Sequence, residues 1–205
     1  MVDAPPNAEW PRSSAWAGIA VENSADATRS VGVHAAVREG LGVASVIARR
    51  GSEGALSRLV ATRYGLELPT TCRAVCGAAH ALLWSGPGRW LAVAERGERF
   101  ADLSEAAAVT DQSDALATMR LTGQYVRDML AKGCMIDLHP RAFPPGAAAL
   151  ISIAHMGVHL WRIDQGADDG DPAFDLLVAR STVASFWSWV AASAAEFGWK
   201  VSRSR

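Results

Sequence analysis

Apolar and polar residues alternate along this chain with two distinct periods, and the order of those periods predicts an α+β fold. Gly42 to Arg49 (GVASVIAR) is short, β-branched and flanked by glycine, which predicts a strand. Ser52 then caps a predicted helix whose Leu56, Leu59, Val60 and Tyr64 share one stripe, and Gly65 stands where a left-handed C-terminal cap is wanted. Residues 75–84 end in Leu82-Leu83-Trp84, and after Ser85-Gly86-Pro87-Gly88-Arg89 the chain resumes as Trp90-Leu91-Ala92-Val93-Ala94. This predicts a hairpin closed by a Gly/Pro turn. A second helix is expected from about Glu98 to Ala107, with Phe100, Leu103 and Ala107 inward, and Ala115 to Leu121 alternates as a further strand. Residues 42–121 therefore read β-α-β-β-α-β, the ferredoxin-like arrangement.

Beyond them, Thr122 opens a short predicted helix with Val126, Met129 and Leu130 on one face, stopped at Lys132-Gly133. Segment 134–147 holds three prolines and a glycine and is expected to be an irregular loop. Strands follow at Leu150–Ala154 and Val158–Ile163, with Met156-Gly157 as the expected turn, and after an acidic loop at Phe174–Val178. Ser181 starts the last helix, with Val183, Phe186, Trp187, Val190, Ala194 and Phe197 inward and Gly198 ending it. This half reads α-β-β-β-α, and neither half looks self-sufficient. The expected fold class is thus α+β: two packed subdomains with antiparallel sheets, a boundary near residue 121, and one body over residues 31–205. Residues 1–30, with Pro5, Pro6 and Pro11, read as an extended N-terminal arm.

Composition narrows the function classes. The 205 residues carry 20 Lys+Arg against 21 Asp+Glu, a net charge of -1, so the basic excess that phosphate neutralisation demands is missing and nucleic acid is not an expected partner. No apolar run approaches the roughly 18 residues of a membrane-spanning helix, and the polar, proline-bearing start has no apolar segment of a secretory signal. No membrane association and a cytoplasmic location are therefore expected. Three cysteines are too few and too odd a number for a disulfide framework, which fits a reducing compartment. All the basic residues except Lys132 and Lys200 are arginine, and there are eight tryptophans against two tyrosines. Codon bias accounts for arginine over lysine but not for the indoles, and Trp and Arg are the residues most enriched at interface hot spots.

Residues that superficially suggest chemistry read as structural. Ser85-Gly86-Pro87-Gly88 cannot cradle a phosphate, because proline removes a donor and a strand, not a helix, follows. His155 and His159 have the spacing of paired helical metal ligands but lie on strand-type sequence. Cys72, Cys76 and Cys134 fit neither zinc nor redox spacing and are expected to be buried thiols. The loop with Asp164, Asp168, Asp169 and Asp171 lacks the alternating ligands and terminal Glu of a calcium loop. Asp111, Asp114 and Asp128 have no acid or base partner at a recognisable spacing, and no catalytic or metal motif is present, so no catalytic, cofactor-binding or metal-binding residue is assigned. The aromatics are more informative. Trp10, Arg12 and Trp16 lie on the arm outside any predicted core, and Trp189 and Trp199 sit at the margin of the last helix. They need either a partner's surface or the chain's own body to cover them.

Several runs together resemble one family. They are Val109-Thr110-Asp111-Gln112-Ser113-Asp114, Met119-Arg120-Leu121-Thr122-Gly123, and the stretch from Leu130 through Lys132-Gly133-Cys134-Met135-Ile136-Asp137-Leu138-His139-Pro140-Arg141-Ala142-Phe143. His155-Met156-Gly157, Leu160-Trp161-Arg162, Phe174-Asp175-Leu176-Leu177-Val178 and Ser181 with Phe186-Trp187 continue the series in order. From about Leu82 to Gly198 the chain resembles the gamma subunit of heterotetrameric sarcosine oxidase. The resemblance implies a body similar to the folate-binding region of the glycine-cleavage aminomethyltransferases, in a cytoplasmic complex that oxidatively demethylates sarcosine or a related N-methyl amino acid. It implies alpha, beta and delta partner subunits that carry FAD, FMN, NAD, tetrahydrofolate and zinc, and a gamma chain that is a non-catalytic structural partner. The aminomethyltransferase's catalytic aspartate turn is replaced here by Asp137-Leu138-His139-Pro140-Arg141-Ala142-Phe143-Pro144-Pro145-Gly146, and Lys132-Gly133-Cys134 lacks the Tyr and Gln of folate-dependent iron-sulfur assembly factors. The contact residues expected on this reading are Trp10, Arg12, Trp16, His139, Arg141, Phe143, Trp189 and Trp199; the 139–143 loop could equally cover its own subunit's sheet edge. A stand-alone folate-binding or one-carbon transfer protein of the same fold is the alternative.

Overall fold

A computed structural model describes residues 13–19, 30–163 and 170–204 of the chain. Its strands are β1 (Val33–Arg38), β2 (Gly42–Ala48), β3 (Ala74–Cys76), β4 (His80–Gly86), β5 (Arg89–Ala94), β6 (Ala107–Asp111), β7 (Leu116–Thr122), β8 (Ala148–Ile153), β9 (Met156–Ile163), β10 (Ala173–Ala179) and β11 (Trp199–Ser204). The helices are α1 (Glu53–Tyr64), α2 (Val126–Ala131) and α3 (Val183–Ala194). They build a six-stranded sheet in the order β11-β1-β7-β10-β9-β8 and a five-stranded sheet in the order β3-β4-β5-β2-β6. Every pairing is antiparallel except β1 with β11.

Strand alternation sends side chains into three apolar clusters. One face of the six-stranded sheet packs Val33, Val37, Met119, Leu121, Leu160, Phe174 and Leu176 against Val126, Met129, Phe186 and Val190 of α2 and α3. Val46, Trp90 and Ala92 of the five-stranded sheet bury Leu56 and Val60 of α1. The third cluster joins the sheets: Val43, Ala74, Leu83, Leu91 and Val93 from one meet Ala148, Trp161 and Leu177 from the other. A two-sided demand explains why Phe174 to Val178 is an unbroken apolar run apart from Asp175.

The α+β class with antiparallel sheets is the observed one, but the strands are grouped differently from the ferredoxin-like expectation for residues 42–121. β7 leaves that group and pairs between β1 and β10 in the other sheet. Its Met119 and Leu121 are thereby buried under α2 and α3 rather than α1. No α-helix forms at 98–107. Phe100 takes a left-handed φ of 54°, only a 3-10 turn spans Ala101–Glu105, and Ala107 opens β6 instead. Gly42 permits this crossing of chains, since a Cβ there would lie 2.0 Å from the Glu98 carbonyl oxygen. The β8–β9 turn is Ala154-His155, both at positive φ (48° and 66°), and Met156 and Gly157 belong to β9. Two residues with φ > 0 give the turn twist that a tight hairpin needs.

Helix ends also differ in detail. Ser52 precedes α1, but its side chain makes no capping bond; its carbonyl accepts the Leu56 N–H instead. Gly65 closes α1 at φ 64° with its N–H on the Ala61 carbonyl, as expected. Thr122 ends β7, so α2 begins at Val126, and a 3-10 turn at Arg180–Thr182 leads into α3.

Most of the tryptophans among the described residues are interior. Trp16 is 1% exposed, stands edge-on to Trp187 at 5.9 Å, and Trp187 lies 5.6 Å from Trp199. Arg180 holds this N-terminal segment in place by donating to the Ser13 and Ser14 carbonyls at 2.7 and 3.3 Å. Trp16→Ala empties that slot and is expected to destabilise the chain by about 3 kcal/mol. A urea midpoint unchanged from the parent would refute the assignment of Trp16 to the core.

Candidate functional site

The strongest concentration of charge lies where the six-stranded sheet runs past the edge of the inter-sheet core. Asp175 on β10 is 2% exposed. Its Oδ1 accepts Arg120 Nε at 2.7 Å, and its Oδ2 accepts Arg120 Nη2 at 2.8 Å and Arg38 Nη1 at 2.9 Å. The registers Asp175↔Arg120 and Arg38↔Thr118 place these three side chains on one face of neighbouring strands. Arg38 Nη2 reaches across to both oxygens of Glu95, just beyond β5, at 2.5 Å. One carboxylate thus sits between two guanidiniums, the second of which ties it to the opposite sheet. The bond to Asp175 holds the Arg120 guanidinium protonated even more firmly than usual.

These groups line a crevice of about 230 Å³ together with Cys76, the Gly77–Ala81 turn, Trp161 and Ile163. Its chemistry is that of a closed ion-pair chain: both carboxylates already accept from guanidinium, which suits a structural pin. A second cluster, Tyr64, His80, Glu98 and Phe100, lies on the outer face of the five-stranded sheet. Tyr64 Oη donates to Asp102 at 2.5 Å, and His80 Nε2 and Glu98 are 2.6 Å apart. Burial, followed by the Asp102 bond, pushes the Tyr64 hydroxyl up, so it remains a donor. Among the described residues no group of three or more His, Cys, Asp or Glu is placed to hold a metal ion. His155 lies in the hairpin turn and the half-buried His159 in β9, on separate elements. Cys134 is buried and its thiol is pushed up by burial, whereas Cys72 and Cys76 are exposed, contrary to expectation: Cys76 ends the edge strand β3, and Cys72 lies in the loop before it.

The expected contact residues separate into groups. Trp10 and Arg12 lie outside the described residues. Trp16, Phe143 and Trp199 are buried in the chain's own core, and Trp189 is half-buried, 5.6 Å from Phe186. Phe143 stacks on Phe174 at 6.3 Å, and its carbonyl accepts Arg162 Nη1 at 3.1 Å. Leu138 and Phe143 plug the 137–143 loop inward while His139 and Arg141 stay exposed. The loop also bonds to itself, with Asp137 accepting the His139 N–H at 2.8 Å and His139 Nδ1 accepting the Arg141 N–H at 3.2 Å. Among the described residues, these side chains are not brought together as one surface. The exposed large apolar side chains are others: Met135 at 94% and Leu150 at 59% lead them. Neither was singled out by sequence, where Met135 falls in the expected irregular loop 134–147 and Leu150 opens an expected strand.

The model of the "Sarcosine oxidase, gamma subunit family" matches residues 48–196. The sarcosine oxidase subunit gamma of an Arthrobacter species is 37% identical over 111 residues, 50% of this chain and 55% of that protein. That of Corynebacterium sp. strain U-96 is 30% identical over 155 residues, 72% of each. The alignment thus spans about half the length of the Arthrobacter relative. A solved structure of heterotetrameric sarcosine oxidase from Corynebacterium sp. U-96, in complex with pyrrole 2-carboxylate, holds a chain that superposes with a TM-score of 0.76 at 25% identity. The match covers 91% of this chain and 96% of that one. Glycine cleavage system aminomethyltransferase T from Bartonella henselae superposes with a TM-score of 0.57 at 13% identity over 86% of this chain and 48% of that one, a likeness of fold.

Two measurements test the site's physics. Asp175→Ala strands two arginines around a buried void and is expected to cost about 3–5 kcal/mol in urea unfolding. Glu95→Gln, at the half-exposed end of the chain of charges, should cost less than about 1 kcal/mol. Equal losses would show that Asp175 is not the pin. Burial also holds His159 below its usual value of 6.5. The unfolded chain therefore takes up a proton near pH 6.5 that the folded chain refuses, and stability falls as pH drops from about 7 through that range. His34, held low by burial and by Lys200, contributes in the same direction, so His159→Gln should reduce this acid limb without abolishing it and leave the slope above pH 7.5 unchanged; an unaltered acid limb would rule out the half-buried His159 imidazole as a source.

Proposed function

Because this chain belongs to the sarcosine oxidase gamma subunit family, we propose that it is the gamma subunit of a heterotetrameric sarcosine oxidase-type complex, where it supplies folded surface and leaves the chemistry to its companions. The observation that carries the reading is the near-complete superposition on one chain of a heterotetrameric sarcosine oxidase. The closed ion-pair chain around Asp175 supports it as well, since its carboxylates are engaged in joining the two sheets. On this reading the partners are alpha, beta and delta subunits in the cytoplasm. They carry FAD, FMN, NAD, tetrahydrofolate and zinc, and the complex oxidatively demethylates sarcosine or a related N-methyl amino acid. No described helix is long and apolar enough to cross a membrane.

His139 and Arg141 remain contact candidates, because both are exposed on a loop stiffened by its own hydrogen bonds. A rigid loop loses little conformational entropy when a partner docks on it.

The test is co-expression with the companion chains encoded alongside it. The four chains should elute together at equal stoichiometry, the complex should show flavin absorption and oxidise sarcosine, and the chain purified by itself should do neither. Turnover of an amine by the isolated chain, or tetrahydrofolate binding to it with micromolar affinity, would overturn the reading in favour of a stand-alone one-carbon protein.

A further inference from the structure

Among the described residues the chain passes twice between its two sheets, at neighbouring places. The β1–β2 connection at residues 39–41 leaves the six-stranded sheet, and the β6–β7 connection at residues 112–115 returns to it. The two crossings are tied together: the Gln112 N–H donates to the Val43 carbonyl at 2.7 Å, and the Val43 N–H donates to Ser113 Oγ at 3.0 Å. Leu41 in the first crossing and Leu116, just past the second, pack against the apolar cluster between the sheets.

Residues 13–19 lie across this seam. Arg180 donates through its guanidinium to the Ser13 and Ser14 carbonyls at 2.7 and 3.3 Å, and through its own N–H to the Ala115 carbonyl at 2.8 Å. One residue thus holds both the segment and the second crossing. Ser14 Oγ donates to Glu39 in the first. Beneath them is a cavity of about 250 Å³, walled by Ser13–Trp16 on one side and by Leu41, Ser113 and Leu116 on the other.

Little else attaches the segment. Its Trp16, Ala17 and Ile19 N–H groups bond within it, to Ser14 Oγ and to the Ser14 and Trp16 carbonyls, and no backbone hydrogen bond joins it to the rest of the described chain. Trp16 is the apolar anchor, yet its buried Nε1 has no hydrogen-bond partner among the described residues. An indole N–H that loses water without replacing it offsets part of what burial of the ring contributes. A piece of chain held by one ring and a few polar contacts, with no ladder to neighbouring strands, detaches at lower cost than the strands it rests on.

We propose that residues 13–19 form a strap that closes the seam between the two sheets and opens as a unit. Seated, it covers the cavity beside Leu41 and Leu116; lifted, it lets water reach the end of the inter-sheet cluster. Seating of the strap therefore sets how firmly the two crossings are held, and a change at the N-terminal segment is felt between the sheets.

Amide exchange in the full-length chain, followed as a function of urea, tests this. The Trp16, Ala17 and Ile19 amides should exchange through an opening that low urea barely alters, whereas amides of the central strand β10 should wait for global unfolding and respond steeply. The seam amides of Val43, Gln112 and Leu116 should exchange after the strap and before β10. Arg180→Ala and Ser14→Ala each remove a tether while leaving the backbone bond from residue 180 to Ala115, and each should speed strap and seam amides together, roughly tenfold. Strap amides that share the urea dependence of β10 would show that the segment does not open by itself and overturn the proposal. Seam amides that exchange only with β10, or that keep their wild-type rates in both variants while the strap amides accelerate, would overturn it equally. Should a variant fail to fold, the order of exchange in the wild-type chain decides.

Discussion

Asp175 is a carboxylate in the interior of a strand that is otherwise apolar on both faces, and the join between the two sheets is arranged around it. Left alone at that depth it would cost several kcal/mol, so it requires guanidinium partners in good geometry. Register provides one from β7 directly opposite and another from β1 one strand further on. Arg38 then extends the chain of charges to Glu95 on the far sheet. The apolar contacts of Val43, Leu91, Trp161 and Leu177 hold the sheets together without direction, whereas the charge chain specifies how they meet.

Tryptophan usage follows from that architecture. A chain of this size with two sheets has two outer helical layers and a layer between, and large rings fill such junctions efficiently. Trp16, Trp187 and Trp199 form one continuous aromatic group that ties the N-terminal segment, α3 and β11 together. Trp161 serves between the sheets and Trp90 under α1, where its indole N–H donates to the Pro69 carbonyl at 2.7 Å. These five indoles thus contribute to internal cohesion, the self-packing alternative that composition left open. What the surface exposes is smaller and of another kind, with His139 and Arg141 on a loop stiffened by its own hydrogen bonds.

How far the chain can be read without coordinates depends on whether a local period or a distant partner decides each element. Helices α1 and α3 were legible because the stripes Leu56/Val60 and Val183/Phe186/Trp187/Val190 are contained within each segment. The hairpins β4–β5 and β8–β9 were legible because short, turn-forming connections limit the possible pairings. β1 and β11 were missed, since Trp199-Lys200-Val201 is a strand only by virtue of pairing with Val33–Val37, more than 150 positions away. The helix expected at 98–107 failed for the same reason: its stripe of Phe100, Leu103 and Ala107 is compatible with either structure, and the tight crossing at Gly42 selects the irregular one.

By itself the amino-acid sequence determined the α+β class, most strand and helix positions, the absence of a recognisable catalytic motif, and the runs that resemble one family. All of these depend on spacings within a few turns of helix or a hairpin. Tertiary structure alone decided which sheet β7 joins, that Trp16, Phe143 and Trp199 are interior, and that Asp175 is the buried pin. Each of those depends on what a residue meets across the fold, and one-dimensional periodicity reports that a side chain is apolar or charged without reporting what lies against it.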